Sequence, residues 1–182
     1  MVARTLITTP EELTWPTDKD EKILFLGEWC KCYSRKNYWN ELDFKTVKYH
    51  WDDREKFYQD YRYIDGIYEM LLRDLSKHLN QFHEVNYPLR YWRIVIGPWL
   101  VVFIETLFDR WFMLKVSIEE YDIKKCIIFN KNIVDIIPDD INQFNQMSVN
   151  DYWNESIYGY LLSNYFNNDL KVIKIPNSSK LT

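Results

Sequence analysis

The stretch Ile23-Leu24-Phe25-Leu26-Gly27-Glu28-Trp29-Cys30 decides the fold. Four consecutive apolar residues ending at a glycine read as a strand buried on both faces, the pattern of a parallel sheet covered by helices. Thr46-Val47-Lys48-Tyr49 reads as a weaker second strand, Cys126-Ile127-Ile128-Phe129 as a third, and residues 170–175 as a fourth that stops at Pro176. Between the second and third lies a helix, because Phe57, Tyr61, Ile64, Tyr68, Leu71, Leu75, Leu79 and Phe82 recur at spacings of three and four. Asp52 with Glu55 has the logic of its capping box. Gly66 in its middle implies close packing or a bend, since glycine costs a helix about 1 kcal/mol relative to alanine. Ser148 with Asp151 caps a later helix that carries Trp153, Ile157, Tyr160 and Leu161 toward the core. Strands separated by helices predict an α/β, Rossmann-like fold, a small and mostly parallel sheet flanked by long helices.

Pro88 suits the first turn of another helix, and Gly97-Pro98 kinks it. Residues 94–108 are apolar nearly all round, which predicts a central helix buried on every side. The apolar run 94–104 is bounded by Arg93 and Glu105 and is much shorter than the roughly 20 residues of a membrane span, so no transmembrane segment is expected. The chain reads as one domain over residues 1–182, with a polar lead-in over 1–20 and a tail from 176.

With 47% hydrophobic residues and a net charge of −4, the chain buries a core, and its scattered Lys and Arg offer no basic stripe for nucleic acid. Cys30, Cys32 and Cys126 are odd in number, and residues 1–9 lack the apolar core of a secretory signal. The expectation is a reduced, cytoplasmic setting. Aromatic content of 18% fits sugar-stacking or interface surfaces, and it also fits compositional drift toward Tyr and Ile in a chain with a single alanine, Ala3.

The richest cluster is His50-Trp51-Asp52-Asp53-Arg54, which follows the second strand as Gly27-Glu28-Trp29-Cys30 follows the first. If those strands are parallel neighbours, both loops open at the carboxyl edge of the sheet, where α/β proteins bind ligands. Glu28 or His50 then suits proton abstraction from a hydroxyl acceptor, and His50, ahead of the cap, faces the crevice at little cost to stability. The plainer alternative is that Asp52 and Asp53 complement the helix dipole and His50 packs on Trp51. Arg90 and Arg93 carry the planar fork that matches phosphates, or else close the helix through ion pairs; Asp109-Arg110 reads as an ion-paired end. Cys30 and Cys32 lack a second ligand pair at zinc spacing, and with four glycines there is no phosphate-cradling loop. The reading therefore carries no metal and no cofactor.

Leu6-Ile7-Thr8-Thr9, residues 23–30, His50-Trp51-Asp52-Asp53-Arg54, Leu89-Arg90-Tyr91-Trp92-Arg93-Ile94, Gly97-Pro98-Trp99 and Phe108-Asp109-Arg110 together resemble the N-terminal region of a transferase family found in bacterial O-antigen and surface-carbohydrate gene clusters. The likeness is strong over residues 5–111 and looser beyond. It implies the N-terminal domain of a longer, two-domain glycosyltransferase-like enzyme. On that reading the domain takes a sugar or lipid-linked acceptor and works with a downstream donor domain or as a homo-oligomer. Joined to the reading of the loops, this makes Glu28, His50 and Asp53 the candidate catalytic residues, with Trp29, Trp51, Arg54, Arg90 and Arg93 binding substrate. The competing reading is a non-catalytic protein-interaction or carbohydrate-binding module, using its aromatic surface and an unfinished sheet edge.

Overall fold

A computed structural model of the chain describes residues 3–131 and 136–176. These fall into two compact units: a sheet unit formed by the chain up to Tyr49 and from Arg110 onward, and a helical unit, His50–Asp109.

The sheet unit holds five strands, β1 (Arg4–Ile7), β2 (Ile23–Phe25), β3 (Phe44–Thr46), β4 (Ile123–Phe129) and β5 (Lys171–Ile175). They pair in the order β3-β2-β1-β4-β5 and every pairing is parallel. This is the Rossmann-like α/β fold, with its topological switch point between β1 and β4. The helices of this unit are α1 (Lys36–Trp39), α5 (Ile141–Ser148), α6 (Asp151–Tyr165) and the second half of α4 (Gly97–Glu120).

The central strand β1 lies inside the segment that reads as a polar lead-in. Its four residues are all buried, and the polar two have partners that an apolar-run reading does not detect. Arg4 Nη1 donates to the Ile23 carbonyl at 3.0 Å, and Thr5 Oγ1 donates to Glu21 Oε1 at 2.7 Å. Glu21 also meets Lys124 Nζ at 2.6 Å and Lys125 Nζ at 2.9 Å, so one carboxylate fastens the amino ends of β1, β2 and β4. Around this ladder Leu6, Leu24, Phe25, Leu26, Met113, Leu114 and Leu162 are sealed from solvent. Truncating such a side chain, as in Leu6→Ala, costs about 2–5 kcal/mol.

The helical unit begins with a short turn, His50–Asp52, and contains α2 (Arg54–Phe82), α3 (Leu89–Val95) and the first half of α4. The cap of α2 falls one residue later than the sequence suggests. Asp53 Oδ1 accepts from Glu55 N at 2.9 Å and Lys56 N at 3.1 Å, while Asp52 is exposed in the preceding turn. The later helix shifts likewise: Ser148 ends α5, and Asn150 caps α6 by accepting from Tyr152 N and Trp153 N. Ile64, Leu72, Leu100 and Ile104 form the centre of the helical unit.

Residues 94–108 are not buried all round. The chain turns through 67° between α3 and α4, at Ile96 and Gly97. Leu100 and Ile104 are buried, Val101 and Phe103 are half-buried, and Ile94, Val95 and Val102 are exposed. The bend breaks the helical period, so the all-round apolarity is shared between two axes. A Cβ on Gly97 would lie 2.7 Å from the Tyr68 hydroxyl, which makes the glycine the seat of α2 against the bend. Among the described residues no single helix is long and apolar enough to cross a membrane; α3 and α4 pass that test only as a bent pair.

Candidate functional site

β2 and β3 run parallel with Ile23 beside Phe44 and Phe25 beside Thr46, so the segments that follow them leave from the same edge of the sheet. At that edge Trp29 and Tyr49 meet edge to face, ring centroids 6.3 Å apart. Trp29 Nε1 donates to the Thr8 carbonyl at 3.0 Å, which ties the turn after β2 to the end of β1. Gly27 lets the indole fold back: a Cβ there would overlap the Trp29 ring at 2.1–2.4 Å. Trp29 nevertheless stays 38% exposed, at the edge of the sheet where α/β folds bind ligands.

Glu28 stands beside it in the turn Glu28–Cys30, its side chain 79% exposed and 2.8 Å from Lys31 Nζ. Lys31 lies over the rings of Trp39 and Phe44, at 5.5 and 5.1 Å, so the counter-charge is fixed by packing. The turn after β2 thus carries an accessible carboxylate and a partly exposed indole on consecutive residues.

His50 is placed differently from the expectation. Its side chain is 1% exposed, with Nε2 3.1 Å from Asp109 Oδ1 and Nδ1 3.7 Å from Asp60 Oδ2. Asp60 also accepts from Trp51 Nε1 at 3.0 Å and Lys56 Nζ at 2.6 Å. The Trp51 ring lies 4.6 Å from His50 and is stacked with Phe108. This is a buried network of two carboxylates, an imidazole, an indole and an ammonium, and its parts come from the first turn, α2 and α4. The sequence puts His50 and Trp51 in view but not Asp60 or Asp109 as their partners.

The remaining predicted residues separate. Asp53 is engaged as the cap of α2, and Arg54 is exposed just after it. Arg93 forks onto Glu69, Nη1 to Oε1 at 2.5 Å and Nη2 to Oε2 at 2.8 Å, which raises the guanidinium and lowers the carboxyl relative to their ordinary values. Arg93 is thus ion-paired, with a partner on α2 and not in a strand loop; Arg90 is exposed. In the sheet unit Arg110 donates to Asn154 Oδ1 at 3.0 Å and to the Ser148 carbonyl at 3.3 Å.

Among the described residues no group of His, Cys, Asp and Glu is arranged to hold a metal ion. All three cysteines are free thiols. Burial pushes the Cys30 thiol up to about 12 and raises that of Cys126 as well, so neither is poised as a nucleophile.

A second constellation at the carboxyl edge went unread in the sequence. Lys131 and Glu155 form an ion pair at 2.6 Å with side chains 4% and 2% exposed. Glu155 Oε1 also accepts from Phe129 N at 2.7 Å, and Lys131 Nζ donates to the Tyr152 carbonyl and lies 3.3 Å from the Tyr152 ring centroid. Lys131 of this pair lines a cleft of about 400 Å³ that runs between α6 and the β4–β5 pair. Twenty-four positions separate Lys131 from Glu155, and no local pattern marks either one.

These features define a Rossmann-like α/β protein built on a five-stranded, all-parallel sheet. A family model described as LIC12162 family transferase matches residues 4–181, and the chain belongs to that family. No curated protein and no solved structure matches the chain.

Proposed function

We propose that the chain is the acceptor-side part of a glycosyltransferase-like enzyme in the synthesis of bacterial O-antigen or other surface polysaccharide. The observation that carries this reading is that the turn after β2 presents, on consecutive residues, an exposed carboxylate at Glu28 and an anchored, partly exposed indole at Trp29. Trp29 gives a sugar ring its stacking face, and Glu28 takes the proton of the hydroxyl that attacks the activated donor. Lys31 supplies the counter-charge before the proton moves. His50 and Asp53 enter as positioning residues, since both fix the start of α2. The setting is cytoplasmic, where activated sugar donors are made.

The test is the surface glycan of the bacterium that encodes the protein. A strain whose only copy carries Glu28→Gln should show the shortened glycan of the deletion strain while keeping the protein at its normal level. A full-length glycan in that strain would count against the proposal.

A second reading has its own support. Tyr58, Tyr63, Phe82 and Ile94 of the helical unit are exposed, as expected of a module that binds a partner through apolar side chains. On that reading Glu28→Gln leaves the glycan unchanged, whereas Tyr63→Ser or Ile94→Ser alters it.

A further inference from the structure

We propose that the cleft between α6 and the β4–β5 pair is a binding site for an anionic sugar, a ring with several hydroxyls and one phosphate or carboxylate. Its volume of about 400 Å³ lies within the range of small-molecule sites.

The lining has the right chemistry. Ser163 Oγ is shielded from solvent and makes no hydrogen bond among the described residues, although buried hydroxyls are ordinarily paired. A ligand hydroxyl would satisfy it. Asn164 uses Nδ2 on the Tyr160 carbonyl, and Ser156 uses its hydroxyl proton on the Tyr152 carbonyl. Their remaining oxygen lone pairs can accept from ligand hydroxyls. Tyr160, exposed on α6, adds an aromatic face.

The charge is set by Lys174. It is exposed on β5, lines the cleft beside Ile128, its neighbour in the β4–β5 register, and has no ion-pair partner among the described residues. Lys131 is the other cation in the lining, but Glu155 neutralises it and its ammonium is held by Tyr152. One uncompensated positive charge calls for one anionic group.

The opposite assignment holds at the ends of β1 and β2. There the Trp15 and Trp29 indoles occupy the Thr9 and Thr8 carbonyls. Asp151, at the start of α6, is raised by desolvation and by the negative charge of Glu11. A second anion is unwelcome beside those carboxyls, and the cleft on the β4–β5 side is where it fits.

Titration of the whole chain with glucose 1-phosphate, glucuronate and uncharged glucose, followed by calorimetry, tests the assignment independently of any transfer reaction. At least one of the two anionic probes should saturate with a dissociation constant below about 1 mM, and glucose should bind at least about tenfold more weakly. Which anion binds tighter distinguishes a phosphate from a carboxylate ligand. Lys174→Ala should weaken the anionic probe by about tenfold and Lys174→Arg should restore it, with circular dichroism unchanged in both. Ser163→Ala should weaken both charged and uncharged ligands. No saturation by either anion, or equal affinity in wild type and Lys174→Ala, would overturn the proposal.

Discussion

His50 and Asp109 are the first and last residues of the helical unit, and the imidazole Nε2 of one lies 3.1 Å from the carboxylate Oδ1 of the other. The chain that leaves the sheet unit after Tyr49 and rejoins it at Arg110 is thus clasped where the excursion begins and ends. Both side chains are buried, at 1% and 8% exposure, so the contact is made largely out of water.

His50→Ala should therefore destabilise the protein by about 3 kcal/mol, because it leaves the buried Asp109 carboxylate without this partner. Urea unfolding of the variant measures this. A midpoint equal to that of the wild type would show that the clasp contributes nothing. The loss reverses the expectation that His50 faces a crevice, since the partner that buries it lies 59 positions away.

Asp53→Ala should cost about 1 kcal/mol through the lost cap of α2, and Asp52→Ala close to nothing. Thermal unfolding of the two single variants is the check. A larger loss for Asp52→Ala would place the cap where the sequence spacing first suggests it.

What could be read in the sequence follows from how each signal is built. The strand at Ile23 and the helix through Phe57, Ile64 and Leu75 announce themselves because apolar burial is written into consecutive or periodic positions. β1 does not, since half of its four residues are Arg4 and Thr5, whose burial depends on Ile23 and Glu21 from the next strand and its lead-in. The carboxyl edge was legible through Glu28 and Trp29, which follow directly on a readable strand. Lys131 and Glu155 were not, because a buried ion pair between a strand end and a helix has no periodicity. Asp52 and Asp53 are adjacent and chemically equal, and only the backbone decides which one caps.

Gly66 sits in α2 with open space where a Cβ would go. Neither close packing nor a break in the helix accounts for it, as α2 runs uninterrupted through that residue. Gly66→Ala should stabilise the protein by about 1 kcal/mol. Chemical denaturation checks the value, and a destabilised Gly66→Ala would mean that something packs on this face in solution.

Glu21 gives the protein an acid-sensitive clamp. Burial alone would raise its carboxyl, but hydrogen bonds from Lys124, Thr5 and Lys125 outweigh it and hold the group at about 2, against 4.5 for an ordinary Glu. Because the folded value is depressed, the stabilisation is fully present above pH 4.5 and is lost as the pH falls toward about 2. Glu21→Gln should be less stable than wild type at neutral pH and lose less stability across that acid window. Parallel stability curves for the two proteins would contradict the clamp.

In the proposed reaction Glu28 accepts the proton of the attacking hydroxyl. The most direct measurement is the initial rate of glycan transfer in extracts of the encoding bacterium, with Glu28→Gln and wild-type protein at matched levels. The rate should be about 10²- to 10⁴-fold lower for the variant, with thermal stability unchanged because the side chain is exposed. A Glu28→Gln rate within about twofold of the wild type would contradict it, since loss of a working general base cannot be that small.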